Sequence, residues 1–175
     1  LTLIHPIHGV TPNIHFSCFI AENATLVGDA IAGRDCSFWF NSVVRADVNA
    51  IRIGQRTNIQ DGAVIHCTYK SSATYIGSNV IIGHNAVVHG CTVADYALIG
   101  MGAIVMDHAV VEEYVIVAAG SVVLENSRLE SGFMYAGVPA KKIKKISEEQ
   151  QQFLRRTAGN YITYSSWFTS SQNQS

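Results

Sequence analysis

A six-residue period runs through most of this chain and limits what it can fold into more than any other feature. Each frame opens on an apolar residue, and the residue four places later is small or β-branched. The openers are Ile20, Leu26, Ala32, Phe38 and Val44, then Ile53 and Ile59, then Ile76, Ile82 and Val88, then Val93, Ile99, Val105, Val111 and Val117. Their fourth-place partners run Ala24, Ala30, Cys36, Ser42, Val48, Thr57, Ala63, Val80, Ala86, Thr92, Ala97, Ala103, Ala109, Val115 and Ser121. Alternate residues of a strand share a face, so an opener and the residue two before it both point inward, and the small one fits where a wall turns a corner. Three such walls close one triangular coil of 18 residues. Stacked coils then pair backbone to backbone at about 4.8 Å around a solid aliphatic interior, and an all-β parallel coil is expected.

The frame slips at Ala50 to Arg52, at about Ser71 to Tyr75, and by one residue between Val88 and Val93. Slips predict loops or bulges. After Val123 the period dissolves, and Pro139-Ala140 followed by Lys141, Lys142, Lys144 and Lys145 reads as an extended exit from the prism. Ser147 with Gln150 three places later is a capping-box signal. It predicts a helix over 147–164, with Phe153, Leu154, Ala158, Tyr161 and Ile162 as an apolar stripe for its own prism or a neighbour's. The expected organisation is a coil domain with its exit over 1–146, the helix over 147–164, and a Ser/Gln/Asn-rich tail over 165–175 that is expected to be mobile.

Composition narrows the function classes. Lys and Arg number 12 against 13 Asp and Glu, a net charge of -1, which leaves no excess of positive charge for phosphates or an anionic lipid surface. No nucleic-acid and no membrane partner is expected, and no apolar run approaches the roughly 18 residues of a membrane span. Leu1 to Val10 lacks a basic segment followed by a cleavable apolar stretch, so a cytoplasmic protein is expected; the chain opens on Leu1 rather than Met, so native N-terminal residues are expected to be missing. The four cysteines form no CxxC pair and read as reduced, buried thiols, with Cys18 and Cys36 stacked one coil apart. P-loop, HExxH, GxSxG and GxGxxG signatures are absent.

The repeat frame places three histidines. His66 follows the opener Ile65 and His89 follows Val88, so the two occupy equivalent outward positions on successive coils if Ser71 to Tyr75 is extruded. Backbones about 4.8 Å apart let two imidazoles lean until their nitrogens are about 3.3 Å apart, the spacing of two ligands on one tetrahedral ion with bonds of about 2.0 Å. His84 belongs to the preceding face. A neighbouring copy could bring its His84 against the His66/His89 face, and closing that head-to-tail contact about a threefold axis gives a homotrimer. Three neutral imidazoles leave a fourth position for water, as in catalytic zinc sites. Cys67 and Cys91 lie close by in sequence, and zinc would accept thiolates too; the frame assigns Cys67 to a corner. Arg45 and Gln60 are second residues of their frames and face outward like His66.

Several runs carry a family resemblance: Asn41-Ser42-Val43-Val44-Arg45-Ala46-Asp47, Arg52-Ile53-Gly54, Thr57-Asn58-Ile59-Gln60-Asp61-Gly62, Val64-Ile65-His66, Ile82-Gly83-His84-Asn85, Val88-His89-Gly90-Cys91, Ile99-Gly100-Met101-Gly102 and Tyr135-Ala136-Gly137-Val138-Pro139. From about Gly9 to the helix after Ser147 the chain resembles the gamma-class carbonic anhydrases. The resemblance implies a left-handed parallel β-helix, against the usual right-handed crossover rule. It implies reversible hydration of carbon dioxide to bicarbonate by a metal-bound hydroxide at a trimer interface, with Zn2+ as the default metal and Fe2+ or Co2+ as alternatives. It makes His66, His84 and His89 the metal ligands, with His84 from the adjacent subunit. Gln60 would orient water or bicarbonate, Asn58 would support Gln60, Tyr135 would line the pocket, and Arg45, Asp47 and Asp61 would form charged pairs across the interface. The chain departs from the family's prototype in carrying Val48 where a glutamate follows the Arg/Asp motif, and in having no acid from Tyr69 to Tyr75. Those acids would export the proton, so without them export is expected to depend on external buffer, and only a buffer-independent turnover would point to Glu125 or Glu130. Two other readings remain: a hexapeptide-repeat acyl-CoA thioesterase or transferase with a His general base, and a non-catalytic trimeric metal-binding subunit.

Overall fold

The computed structural model describes residues 3–171, with side chains as far as residue 168. The chain forms a left-handed parallel β-helix of about seven turns followed by one helix, the fold class expected from the period. Its strands are mostly two or three residues long, and all but the last, Lys141–Lys145, pair in parallel register with a strand of an adjacent coil. Ile59, Ile82, Ile99, Val117 and Tyr135 stack as one inward column. Val44, Ile65, Val88, Val105 and Val123 form the second, and Ile53, Ile76, Val93, Val111 and Leu129 the third. All are buried, and burying each aliphatic side chain is worth about 1.5–3 kcal/mol.

The six-residue length has a backbone cause. The residue three after an opener takes the left-handed conformation, as at Arg56, Asn79, Asn85, Tyr96, His108, Tyr114 and Asn126. One such residue turns the chain through a corner, and the small residue after it drops into the interior, with Ala63, Ala86, Ala97, Ala103 and Ala109 wholly buried. The rule fails at two expected positions. Thr92 is exposed and Cys91 is buried in its place, because the frame opened by Val88 is one residue short and Gly90 takes the left-handed position early, at φ 56°. Val48 is only partly buried. In the long strand Val43–Ile53 the pairing jumps from Gly28↔Ala46 to Ala30↔Ile51, residues 47–50 bulge out, and Ile51 fills the interior.

The slip near Ser71 is a short loop closed by a bridge between Thr68 and Ser72. The lysine-rich exit is extended but folds back, Lys141–Lys145 pairing antiparallel with Phe133–Ala136. Helix α1 spans Glu148–Ser171. Its capping box is formed: Ser147 Oγ accepts the Gln150 N–H at 3.1 Å and Gln150 Oε1 accepts the Ser147 N–H at 3.0 Å. Leu154 packs with Ile81 and Ile116 of its own prism, and Ala158 is buried as well, whereas Phe153 and Ile162 of the expected stripe stay exposed. The helix continues past its expected end at residue 164 because Tyr161 packs edge-on against Trp39, and Phe168 packs edge-on against Trp39 and Phe40 and tilted against Phe19. Residues 165–171 of the expected mobile tail are thus helical, and 172–175 lie outside the described residues. Among the described residues no helix is long and apolar enough to cross a membrane.

Candidate metal centre

His66 ends the strand Val64–His66, His89 ends the strand Val87–His89, and the two are direct partners in the parallel register. The stacking expected from the repeat frame is therefore present. His66 Nδ1 lies 3.0 Å from His89 Nε2. The far nitrogen of each ring is held by a carboxylate: His66 Nε2 by Asp47 Oδ1 at 3.0 Å and His89 Nδ1 by Asp107 Oδ1 at 2.5 Å.

Those bonds decide where the protons sit. A carboxylate accepts, so each imidazole places its N–H on the outer nitrogen and turns a lone pair toward the other ring. Burial pushes the His66 imidazole below its ordinary value, against the opposing pull of Asp47. Burial also pushes the Asp47 carboxyl up, but the hydrogen bonds from His66 and Arg45 outweigh it and hold the group below the usual carboxylate range. Asp107 is likewise pushed up by burial, yet bonds from Thr68, His89 and Ser72 bring it down to about 2. Two lone pairs facing each other at 3.0 Å repel unless a cation lies between them. The separation is close to the roughly 3.3 Å between two nitrogens on one tetrahedral ion. The donor set therefore fits a metal, with carboxylate–imidazole pairs behind the ligands of the kind that orient metal-bound histidines.

The remaining expected residues divide between this pair and a second face. Arg45 is ion-paired with Asp47 inside the chain, so Asp47 serves both the guanidinium and His66. Asp61 pairs with His84 Nδ1 at 3.0 Å on the other face. Gln60 is buried and its Nε2 donates to Asn58 Oδ1 at 3.0 Å, while Asn58 donates onward to Val80 O at 3.4 Å. His84 and Gln60 share the wall of an apolar cavity of about 450 Å³ with Leu98, Met134 and Phe153. Among the described residues no group of three metal-ligating side chains forms within the chain. Tyr135 does not approach the pair. It is buried in the column of Ile82, three coils on, and its hydroxyl accepts the Glu130 N–H at 2.9 Å.

Asp107 is the site residue the repeat reading missed, and the three carboxylate–imidazole contacts were missed with it. Asp107 stands 18 residues after His89, one coil further, so the coil offset is the signal that could have found it. Cys67 and Cys91 are both buried. Burial raises both thiols, Cys91 to about 12, and Cys67 Sγ donates to Asn49 O at 3.2 Å.

Stacked three-walled coils built on a six-residue period, with outward histidines paired across coils, define a hexapeptide-repeat β-solenoid protein. No family model matches the chain, but individual proteins do. It is 41% identical over 170 residues to gamma carbonic anhydrase 2, mitochondrial, of Arabidopsis thaliana, a match covering 94% of this chain and 61% of that protein. It is 34% identical over 172 residues to a carbonic anhydrase of Geobacillus kaustophilus, covering 98% and 94%. A solved hexapeptide transferase family protein from Anaplasma phagocytophilum superposes with a TM-score of 0.91 at 41% identity, over 95% of this chain and 98% of that one. The chain belongs to the gamma-class carbonic anhydrase family.

Proposed function

We propose that this chain is a metal-dependent carbonic anhydrase that hydrates carbon dioxide reversibly at an interface between copies in a homotrimer. The observation that carries the reading is the His66/His89 pair, with nitrogens 3.0 Å apart and each ring backed by a carboxylate. His66 and His89 are two ligands, and His84 of an adjacent copy, held by its own Asp61, is the third. Zinc is the default ion, with ferrous iron or cobalt as alternatives at a nitrogen-rich site. When bound, such an ion supplies Lewis acidity that makes hydroxide available near neutral pH.

The chain's own groups do the rest. Asp47 and Asp107 keep the imidazoles in the ligating tautomer. Asn58 occupies the Gln60 amide N–H, which leaves Gln60 Oε1 to accept from a water O–H and aim its lone pair at carbon dioxide. Arg45 neutralises Asp47 and attracts bicarbonate. Val48 and the acid-free segment from Tyr69 to Tyr75 leave proton export to Glu125 or to buffer. Stopped-flow carbon dioxide hydration on anaerobically purified protein of measured metal content tests the reading: turnover should scale with metal occupancy. Fully loaded protein without turnover would refute it and favour a non-catalytic metal-binding trimer.

A second reading has one observation in its favour, the apolar cavity with His84 in its wall. A groove of that kind could seat an acyl chain with His84 as general base, as a thioesterase or transferase requires. Hydrolysis or transfer of acyl-CoA by metal-free protein, lost in His84→Ala, would support it.

A further inference from the structure

We propose that Asp107, clamped between Thr68 and Ser72 of the extruded loop, is a positioning residue that holds His89 in the tautomer turning Nε2 toward His66. The proposal rests on the metal-centre reading for its consequence, tighter metal binding, but the geometry stands within one chain. Asp107 Oδ1 accepts from His89 Nδ1 at 2.5 Å. Its other oxygen, Oδ2, accepts from Thr68 Oγ1 at 2.5 Å and from Ser72 Oγ at 2.8 Å. The carboxylate is thus fixed from both sides and cannot rotate away from the imidazole.

The surroundings are shaped for this contact. Gly90, directly after His89, has φ 56°, and a Cβ there would lie 2.2 Å from Ser72 Oγ and 2.6 Å from Asp107 Oδ1. Only a glycine lets the loop hydroxyl and the carboxylate come this close to the strand end. The Gly90 N–H is bonded to Thr74 Oγ1 at 2.9 Å, which ties the far end of the same loop to the same point. Ser72 and Thr74 are both buried, so these bonds are shielded from competing water. The loop therefore braces His89 through the Asp107 carboxylate, its hydroxyls holding one oxygen while the imidazole holds the other.

Outer-shell partners of this kind typically change metal affinity by about 10–100-fold. Two measurements on the full chain test the role. The first is the tautomer of His89 in the metal-free protein, read from long-range proton–nitrogen correlation spectra of nitrogen-15-labelled histidine. The second is zinc affinity by competition with a chelating dye. The wild type should show His89 protonated on Nδ1. Asp107→Ala should shift His89 toward protonation on Nε2 and weaken zinc binding by about 10–100-fold. Asp107→Asn, which keeps an acceptor oxygen, should retain the tautomer and lose less affinity, and it serves as the informative variant if the alanine protein does not fold. An unchanged tautomer in Asp107→Ala, or zinc affinity within twofold of the wild type, would overturn the role. Wild-type protein that binds no zinc would count against the metal reading, while the metal-free spectra still decide whether Asp107 holds His89.

Discussion

Replacing Gly90 with alanine perturbs the surroundings of the His66/His89 pair without altering either histidine, and its cost can be worked from the structure. At φ 56° an alanine pays the left-handed penalty, about 1–2 kcal/mol. Its Cβ would also stand 2.2 Å from Ser72 Oγ. That hydroxyl must turn away, losing a hydrogen bond to a charged acceptor worth about 1.5–3 kcal/mol. The expected total is about 2.5–5 kcal/mol, or a fall in melting temperature of about 5–20 °C for a chain of this size. Gly132→Ala is the internal control, because Gly132 has φ 78° and open space where a Cβ would go. It should lose only the backbone part. Thermal unfolding of metal-free protein, followed by circular dichroism at one protein concentration, compares the two. Equal losses in Gly90→Ala and Gly132→Ala would refute the claim that Gly90 makes room for the Ser72–Asp107 contact.

Three other outcomes follow from the same geometry. His66→Ala, His84→Ala and His89→Ala should each abolish metal binding while Cys67→Ser and Cys91→Ser retain it; metal analysis of the purified variants decides the ligand set. The Cys91 thiol, raised to about 12 by burial, should resist a thiol-exchange reagent at pH 8 until the protein unfolds, because the thiolate is the reactive form; half-buried Cys18 should react first, and rapid labelling of Cys91 would contradict the packing. Glu125 shares a cavity of about 330 Å³ with His89 and Asp107, whereas Glu130 is committed to Lys142 at 2.7 Å. Glu125→Gln should therefore make carbon dioxide turnover more dependent on added imidazole buffer and Glu130→Gln should not, as read by stopped-flow at low and high buffer.

What the sequence reveals here follows from how local the fold is. The inward columns recur every coil, so Ile82, Ile99 and Val117 announce themselves by spacing alone, and the same spacing puts His66 beside His89. Legibility ends where the frame is broken. The bulge at residues 47–50 swings Asp47 onto His66, and the shortened frame at Gly90 exchanges Cys91 for Thr92 in the interior. Both depend on how many residues each slip removes, which a periodic pattern does not specify. Asp107 was hidden for a different reason: an isolated acid on an outward position reads as a solvated charge until the loop hydroxyls are seen to close on it. The end of helix α1 is a tertiary effect, set by Phe19, Trp39 and Phe40 on the prism rather than by the polar residues that carry the helix past 164. Tyr135 shares the inward column of Ile82, Ile99 and Val117, a position the frame does not give because the period dissolves after Val123.

The central claim is that one site is built from two chains, with His66 and His89 on one and His84 on another. Subunit mixing tests it most directly. A His84→Ala chain keeps the pair and a His66→Ala/His89→Ala chain keeps the third ligand, so neither should hold metal alone. Unfolded together in equal amounts and refolded, they should regain about one quarter of the wild-type metal content, the share of interfaces in a random head-to-tail trimer that join an intact pair to an intact His84. A mixture that stays metal-free while wild-type protein refolded in the same way recovers its metal would contradict the shared site.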